Sequence, residues 1–182
     1  MTAARVTRRV IEALDATGIP YMLAGSFSSN YYGIPRSTED ADFVLHVEPA
    51  RLNALTEELG PEFDCDPQLS FETNTGTYRT VLRHRQTSFK VELFLLSSDA
   101  HDQERWRRRG AVTTLDREVW LPSAEDVIIT KLRWARGKDL EDIKDVIGVQ
   151  GGRLDWPYVE AWCAKHGTLR RLADVRQAVP PV

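Results

Sequence analysis

Two aspartates one residue apart, Asp40 and Asp42, follow a Gly25-Ser26 dipeptide, and a further acid, Glu92, interrupts an apolar run later in the chain. On a strand, residues two apart project to one face, so Asp40 and Asp42 present their carboxylates together while Ala41, Phe43 and Leu45 turn the other way. At about 4 Å and an effective dielectric near 20, two such charges repel by on the order of 4 kcal/mol. A divalent cation removes that penalty. Mg²⁺, which prefers carboxylate and phosphate oxygens, is the expected ion, with Mn²⁺ as its substitute. Ser26, preceded by glycine and opening a helix, offers a hydroxyl, backbone N–H groups and a positive helix end to an anion such as a triphosphate. Glu92 is costly as an unpaired charge in an apolar strand. If its strand lies beside that of Asp42, three carboxylates can hold two metal ions about 3.5 to 4 Å apart for an in-line phosphoryl displacement.

Each residue also has a plainer reading. Asp-x-Asp fits a solvated strand edge, Ser26 fits a helix cap worth roughly 1 kcal/mol, and Glu92 fits an edge-strand charge facing water. Their order along the chain favours the chemical reading, because the elements around them are in the right places. Val6, Val10, Ile11 and Leu14 recur at helical spacing over Ala3–Ala16, and Gly18 and Pro20 stop that helix. Tyr21–Ala24 is a short strand broken by Gly25-Ser26, and 27–32 is a second helix. A strand over 41–47 and a helix over 49–59 follow, then two strands over 76–85 and 89–96 joined as a hairpin around Gln86-Thr87. Residues 100–109 suit a polar, arginine-rich helix and 111–121 one or two short strands. Ser123 begins a capping pattern, after which helices are expected over Val127 to Trp134, 140–147, 157–165 and 169–177. The expected architecture is α/β (α+β): a core domain over 1–121, with a short mixed sheet and helices packed on one side, and a helical subdomain over 122–182.

Composition sets the outer limits. With 182 residues, 42% hydrophobic and 28% charged, the chain can bury one sizeable core. A net charge of −3 gives no global case for nucleic-acid binding, so a basic surface must be local. Arg105-Trp106-Arg107-Arg108-Arg109 and the alternating Arg79, Arg83 and Arg85 are candidates for such a face, with Trp106 or Tyr78 adding stacking, as an RNA acceptor would need. The plainer reading is a solvated charged helix and an exposed sheet face. Cys65 and Cys163 fit no metal spacing and read as free thiols; no apolar run is long enough for a membrane span, and the expected location is the cytoplasm. His46, His84, His101 and His166 show no ligand spacing, so no zinc site is expected. The phosphate-loop, dinucleotide, nucleophile-elbow and HExxH motifs are absent.

Leu23-Ala24-Gly25-Ser26, Arg36-Ser37-Thr38-Glu39-Asp40-Ala41-Asp42-Phe43 and Lys90-Val91-Glu92-Leu93 together resemble the signature of the DNA polymerase beta-like nucleotidyltransferase superfamily. The resemblance implies that Asp40 and Asp42 bind both metals, that Glu92 serves the catalytic metal and deprotonates an acceptor hydroxyl, and that Gly25 and Ser26 hold the triphosphate. The third acid here is glutamate where that superfamily more often has aspartate. Leu121-Pro122-Ser123-Ala124-Glu125-Asp126-Val127, with Lys131-Leu132-Arg133-Trp134 and Asp142-Ile143-Lys144-Asp145-Val146, is similar to the AbiEii-type and MenT-like toxin nucleotidyltransferases and their small bacterial relatives. That likeness adds a lysine and an aspartate to the site, mapped onto Lys131 and onto Asp145 or Asp142, and it brings the expectation of an antitoxin partner. Lys131 would neutralise triphosphate charge, against the plainer reading of a surface lysine. Arg36 either reaches a phosphate or pairs with Glu39. The function expected is metal-dependent transfer of a nucleoside monophosphate from a nucleoside triphosphate to a hydroxyl. The alternatives are an antibiotic-modifying nucleotidyltransferase and a non-catalytic nucleotide-binding module of the same fold.

Overall fold

The computed structural model describes residues 2–66, 68–74 and 76–179. The opening helix, α1 (Ala3–Ala16), is capped by the Thr2 side chain and buries Val6, Val10, Ile11 and Leu14, the stripe its spacing predicts. Strand β1 (Tyr21–Ala24) runs directly into α2 (Gly25–Tyr32), and β2 (Asp40–Leu45) returns antiparallel to β1. Pro49–Arg51 forms a 3-10 turn ahead of α3 (Leu52–Leu59), so the expected helix over 49–59 is tighter in its first turn. The short strands β3 (Phe63–Cys65) and β4 (Ser70–Glu72) precede the long β5 (Thr77–His84), which is joined to β6 (Lys90–Leu95) as the expected antiparallel hairpin.

The sheet order is β1-β2-β6-β5-β3, with β4 also pairing β5. Only the β2–β6 pair in it is parallel among the described residues, and that pair sets Asp42 directly beside Glu92. One face of the sheet, carrying Ala41, Phe43, Leu45, Val91 and Leu93, packs on α1 and α3 as a continuous core. The opposite face carries the acids, and the Trp106 ring of α4 (Ala100–Arg108) covers only its end at Met22 and Val44. Alternation along β2 therefore divides the strand between core and cleft.

A two-stranded hairpin, β7 (Gly110–Thr114) and β8 (Arg117–Leu121), leads to four helices, α5 (Ala124–Trp134), α6 (Gly137–Gln150), α7 (Trp156–His166) and α8 (Leu169–Gln177), which bury a second apolar cluster around Ile128, Ile143 and Val159. Ser123 caps α5 as its pattern predicts, accepting the Asp126 N–H at 3.2 Å. Helix α6 begins three residues ahead of the expected 140–147 because the Asp139 carboxylate accepts the Arg136 N–H, and it continues through Gly148. Among the described residues no helix is long and apolar enough to cross a membrane, and Cys65 and Cys163 are free.

Candidate active site

The β1–α2 corner and the β2–β6 pair meet in an open cleft holding about 990 Å³ of space, solvent included. Gly25 turns the corner at φ +58°, and a Cβ placed on it would lie 1.8 Å from the Asp42 Oδ2. Both the backbone angle and the close approach demand glycine. No side chain caps the start of α2, so its first N–H groups have no side-chain partner, and Gly25 and Ser26 line the cleft. Gly25→Ala is expected to displace the Asp42 carboxylate and to strain the corner, lowering the melting temperature by several degrees. A thermal melt against wild type checks this, and an unchanged Tm would show that the corner tolerates a Cβ.

Asp40, Asp42 and Glu92 all line this cleft, together with Gly25, Ser26 and Lys131. Asp40 accepts a hydrogen bond from Thr38 Oγ1 at 3.0 Å, and Glu92 is held by Arg79 Nη1 at 2.7 Å. Burial pushes the Asp42 carboxyl up to about 7; the Asp40 and Glu92 charges add to the rise, and Lys131 and Arg136 offset only part of it. A carboxylate in this position is short of positive charge, which is the condition a bound divalent cation satisfies.

The opposite wall is balanced. Lys131, 6% exposed, donates to Asp142 Oδ2 at 2.7 Å and to Asp139 Oδ1 at 3.3 Å, which overturns the surface-lysine reading. Arg36 does not pair with Glu39; it grips Asp142 with two hydrogen bonds, Nε to Oδ1 at 2.6 Å and Nη2 to Oδ2 at 2.8 Å, and Nη2 also donates to Ser26 Oγ at 3.1 Å. Ser26 thereby spends a lone pair on Arg36 and keeps its O–H free for another acceptor. Burial alone would raise Asp142, but the hydrogen bonds from Arg36 and Lys131 outweigh it and hold the carboxyl at about 2.

Asp145, the other candidate for the acid beside Lys131, does not line the cleft, and neither does Asp142 itself. Around it α6 packs its backbone against Gly33, where a Cβ would come within 2.9 Å of the Val146 N. Asp142, one turn earlier, is the aspartate that meets Lys131, so that assignment is corrected. The basic face read from Arg105 to Arg109 is largely neutralised. Arg105 pairs with buried Asp102 at 3.0 Å, Arg107 with Glu104 and Arg108 with Asp126 at 3.3 Å, while Arg109 stacks on Trp106 at 3.8 Å. Arg79 is committed to Glu92 and Arg85 to Asp64. Sequence reasoning missed Asp139 and Arg136, which both line the cleft; a carboxylate three residues past Arg136 at a helix start was the available signal.

No protein-family model and no curated protein matches the sequence. Solved structures do match the fold. ANT(2'')-Ia in complex with adenylyl-2''-tobramycin aligns with a TM-score of 0.61 at 16% identity, over 90% of this chain and 95% of that one. The solution structure of the antibiotic-resistance factor ANT(2'')-Ia aligns at 0.60 and 15% identity, over 96% and 95%. An antigenic nucleotidyltransferase-like protein from Paracoccidioides brasiliensis aligns at 0.52 and 21% identity, over 95% and 90%. The chain therefore has the nucleotidyltransferase fold expected from its Gly-Ser and Asp-x-Asp motifs.

Proposed function

We propose that this protein transfers a nucleoside monophosphate from a nucleoside triphosphate to an acceptor hydroxyl, releasing pyrophosphate. The observation that carries this reading is the pairing of Asp42 with Glu92 across β2 and β6, two residues from Asp40 and against the Gly25 turn. Asp40, Asp42 and Glu92 would hold Mg²⁺, which on binding supplies charge neutralisation to the triphosphate and to the developing negative charge. The Ser26 hydroxyl and the first N–H groups of α2 bind phosphate oxygens, and Lys131 and Arg36 add positive charge beside them. Glu92, oriented by Arg79, takes the acceptor's proton. The acceptor oxygen then bonds to the α-phosphorus as the bond to the bridging oxygen breaks and pyrophosphate leaves. Holding both reactants in line accounts for most of the acceleration.

The acceptor is a hydroxyl in either of two classes. The ion pairs of Arg79, Arg85, Arg105, Arg107 and Arg108 weaken the case for RNA. The aminoglycoside adduct in the ANT(2'')-Ia structure motivates testing hydroxylated polycations. Restraint by an antitoxin chain follows from the AbiEii- and MenT-like resemblance and is a separate proposal. The test is incubation of wild type and the Asp40→Ala/Asp42→Ala variant with Mg²⁺, each labelled triphosphate, and either total RNA or an aminoglycoside panel. Label transfer with equimolar pyrophosphate, lost in the variant, is the expected result. Nucleotide binding without pyrophosphate from any acceptor would instead support a non-catalytic binding module.

A further inference from the structure

Away from the cleft's acids, three side chains from two helices converge: Asp99, the cap of α4; His101, in its first turn; and His166, the last residue of α7. One ligand atom of each lies within 4.8 Å of the others. Ligand spacing along the chain does not reveal a histidine pair brought together from α4 and α7. The two imidazoles meet edge to face with ring centroids 5.3 Å apart.

The His101 ring is 1% exposed, and its Nε2 lies 3.0 Å from Asp126 Oδ1. Asp126 is itself held by Tyr158 Oη at 2.7 Å and by Ser123 Oγ at 2.9 Å, so it is fixed as a hydrogen-bond acceptor. Nε2 of His101 is then the protonated nitrogen, and Nδ1 is left with a buried lone pair and no hydrogen-bond partner; the Nδ1 of His166 is likewise buried without one. A carboxylate behind one ring nitrogen and an unpartnered second nitrogen is the arrangement that prepares histidine to bind a metal. Asp99 Oδ1 is occupied by the N–H groups of His101 and Asp102 and by Arg133 Nη1, whereas Oδ2 has only a 3.3 Å contact with Arg133 Nη2.

We propose that Asp99, His101 and His166 form a second metal site, selective for Zn²⁺ or a similar imidazole-binding transition ion, separate from the Mg²⁺ site of the cleft. Two imidazoles and one carboxylate suit Zn²⁺ with a water as fourth ligand, and they suit Mg²⁺ poorly. The ion would staple α4 to α7. Helix α4 carries Asp102 and Arg105 on the cleft wall, so the staple would hold that wall to α7, which packs on the Lys131-bearing α5.

The experiment uses the full chain bearing Asp40→Ala/Asp42→Ala, which removes the competing acid pair, stripped with chelator and then titrated with Zn²⁺ or Co²⁺. One equivalent of Zn²⁺ is expected to bind, with a raised Tm, and Co²⁺ is expected to give the intense visible absorption of a four-coordinate centre. Excess Mg²⁺ should displace neither. Adding His166→Ala at the end of α7 should weaken Zn²⁺ binding at least about 100-fold and abolish the Co²⁺ spectrum. Failure of the Asp40→Ala/Asp42→Ala protein to bind Zn²⁺, or equal binding after His166→Ala, overturns the site. Neither result bears on nucleotide transfer, which is read from pyrophosphate release by the wild-type chain.

Discussion

Asp42→Asn is expected to lower metal-dependent pyrophosphate release by about 10³-fold or more while making the metal-free protein more stable at pH 8. Both effects come from one carboxylate placed where burial, Asp40 and Glu92 all disfavour its charge. Its folded pKa of about 7 lies above the ordinary value of 3.8, so the folded state binds the proton more tightly than the unfolded chain does. The stabilisation is thus fully present below about pH 4 and is lost as pH rises through about 7. A shift of this size corresponds to a few kcal/mol, which the partial solvent contact of Asp42 screens to about 2 kcal/mol. Asparagine avoids that loss. In metal-free buffer at pH 8 the variant should melt roughly 4 to 8 °C above wild type, and the gap should close as pH falls toward 4. Adding Mg²⁺ at pH 8 should raise the wild-type Tm and leave the variant unmoved. A variant that melts below wild type at every pH, in the absence of metal, would show that Asp42 is not electrostatically strained.

What the sequence disclosed of this fold was whatever is local in the chain. Helix α1 is legible because four apolar residues repeat at 3.6 spacing, α5 because Ser123 caps it, and β2 because alternation sends Asp40 and Asp42 to one face and Phe43 and Leu45 to the other. Strands β3 and β4 were not anticipated: each is three residues long, too short for a period to register, and each exists through pairing with β5. The same limit runs through the site. Gly25, Ser26, Asp40 and Asp42 fall within eighteen residues and form a readable motif, whereas the partners of Arg36 and Lys131 are set by how α6 docks on α2. Arg36 and Asp142 are 106 positions apart, and charge alone offered Glu39 as the nearer partner. Asp142 and Asp145 are one turn apart on one helix, and only the docking of α6 against Gly33 decides which of them faces Lys131. The meeting of His101 with His166 is hidden for the same reason, since their spacing shows no ligand pattern and only the packing of α7 on α4 joins them.

That docking makes Asp142 the position where substitution should cost the fold most. Its carboxylate is 3% exposed and accepts from Arg36, Lys131 and Ser29, joining α2, α5 and α6 through one side chain. Asp142→Ala leaves Lys131 buried with only the longer contact to Asp139, and it frees Arg36 from its two hydrogen bonds. Breaking a buried pair from one side costs about 3 to 5 kcal/mol, which for a chain of this length is a fall in Tm of roughly 10 °C or more. Asp145→Ala, outside the cleft, is expected to cost less than about 1 kcal/mol. The pH dependence should run opposite to that of Asp42. With its folded pKa held at about 2, below the ordinary 3.8, Asp142 contributes stability above about pH 4 that is lost as pH falls through about 2. The Tm gap between wild type and Asp142→Ala should therefore be constant from pH 8 to about pH 5 and collapse between about pH 4 and 2. Equal losses for Asp142→Ala and Asp145→Ala would show that this network does not hold the two walls together. The network also fixes the cations of the site: without Asp142, Arg36 loses the partner that holds it against Ser26 and Lys131 keeps only Asp139, so KM for the triphosphate should rise more than kcat falls. The two buried aspartates thus divide the work. Asp142 is satisfied by the protein's own cations and holds the scaffold, whereas Asp42 is left unsatisfied by them, the condition on which the proposed metal site rests.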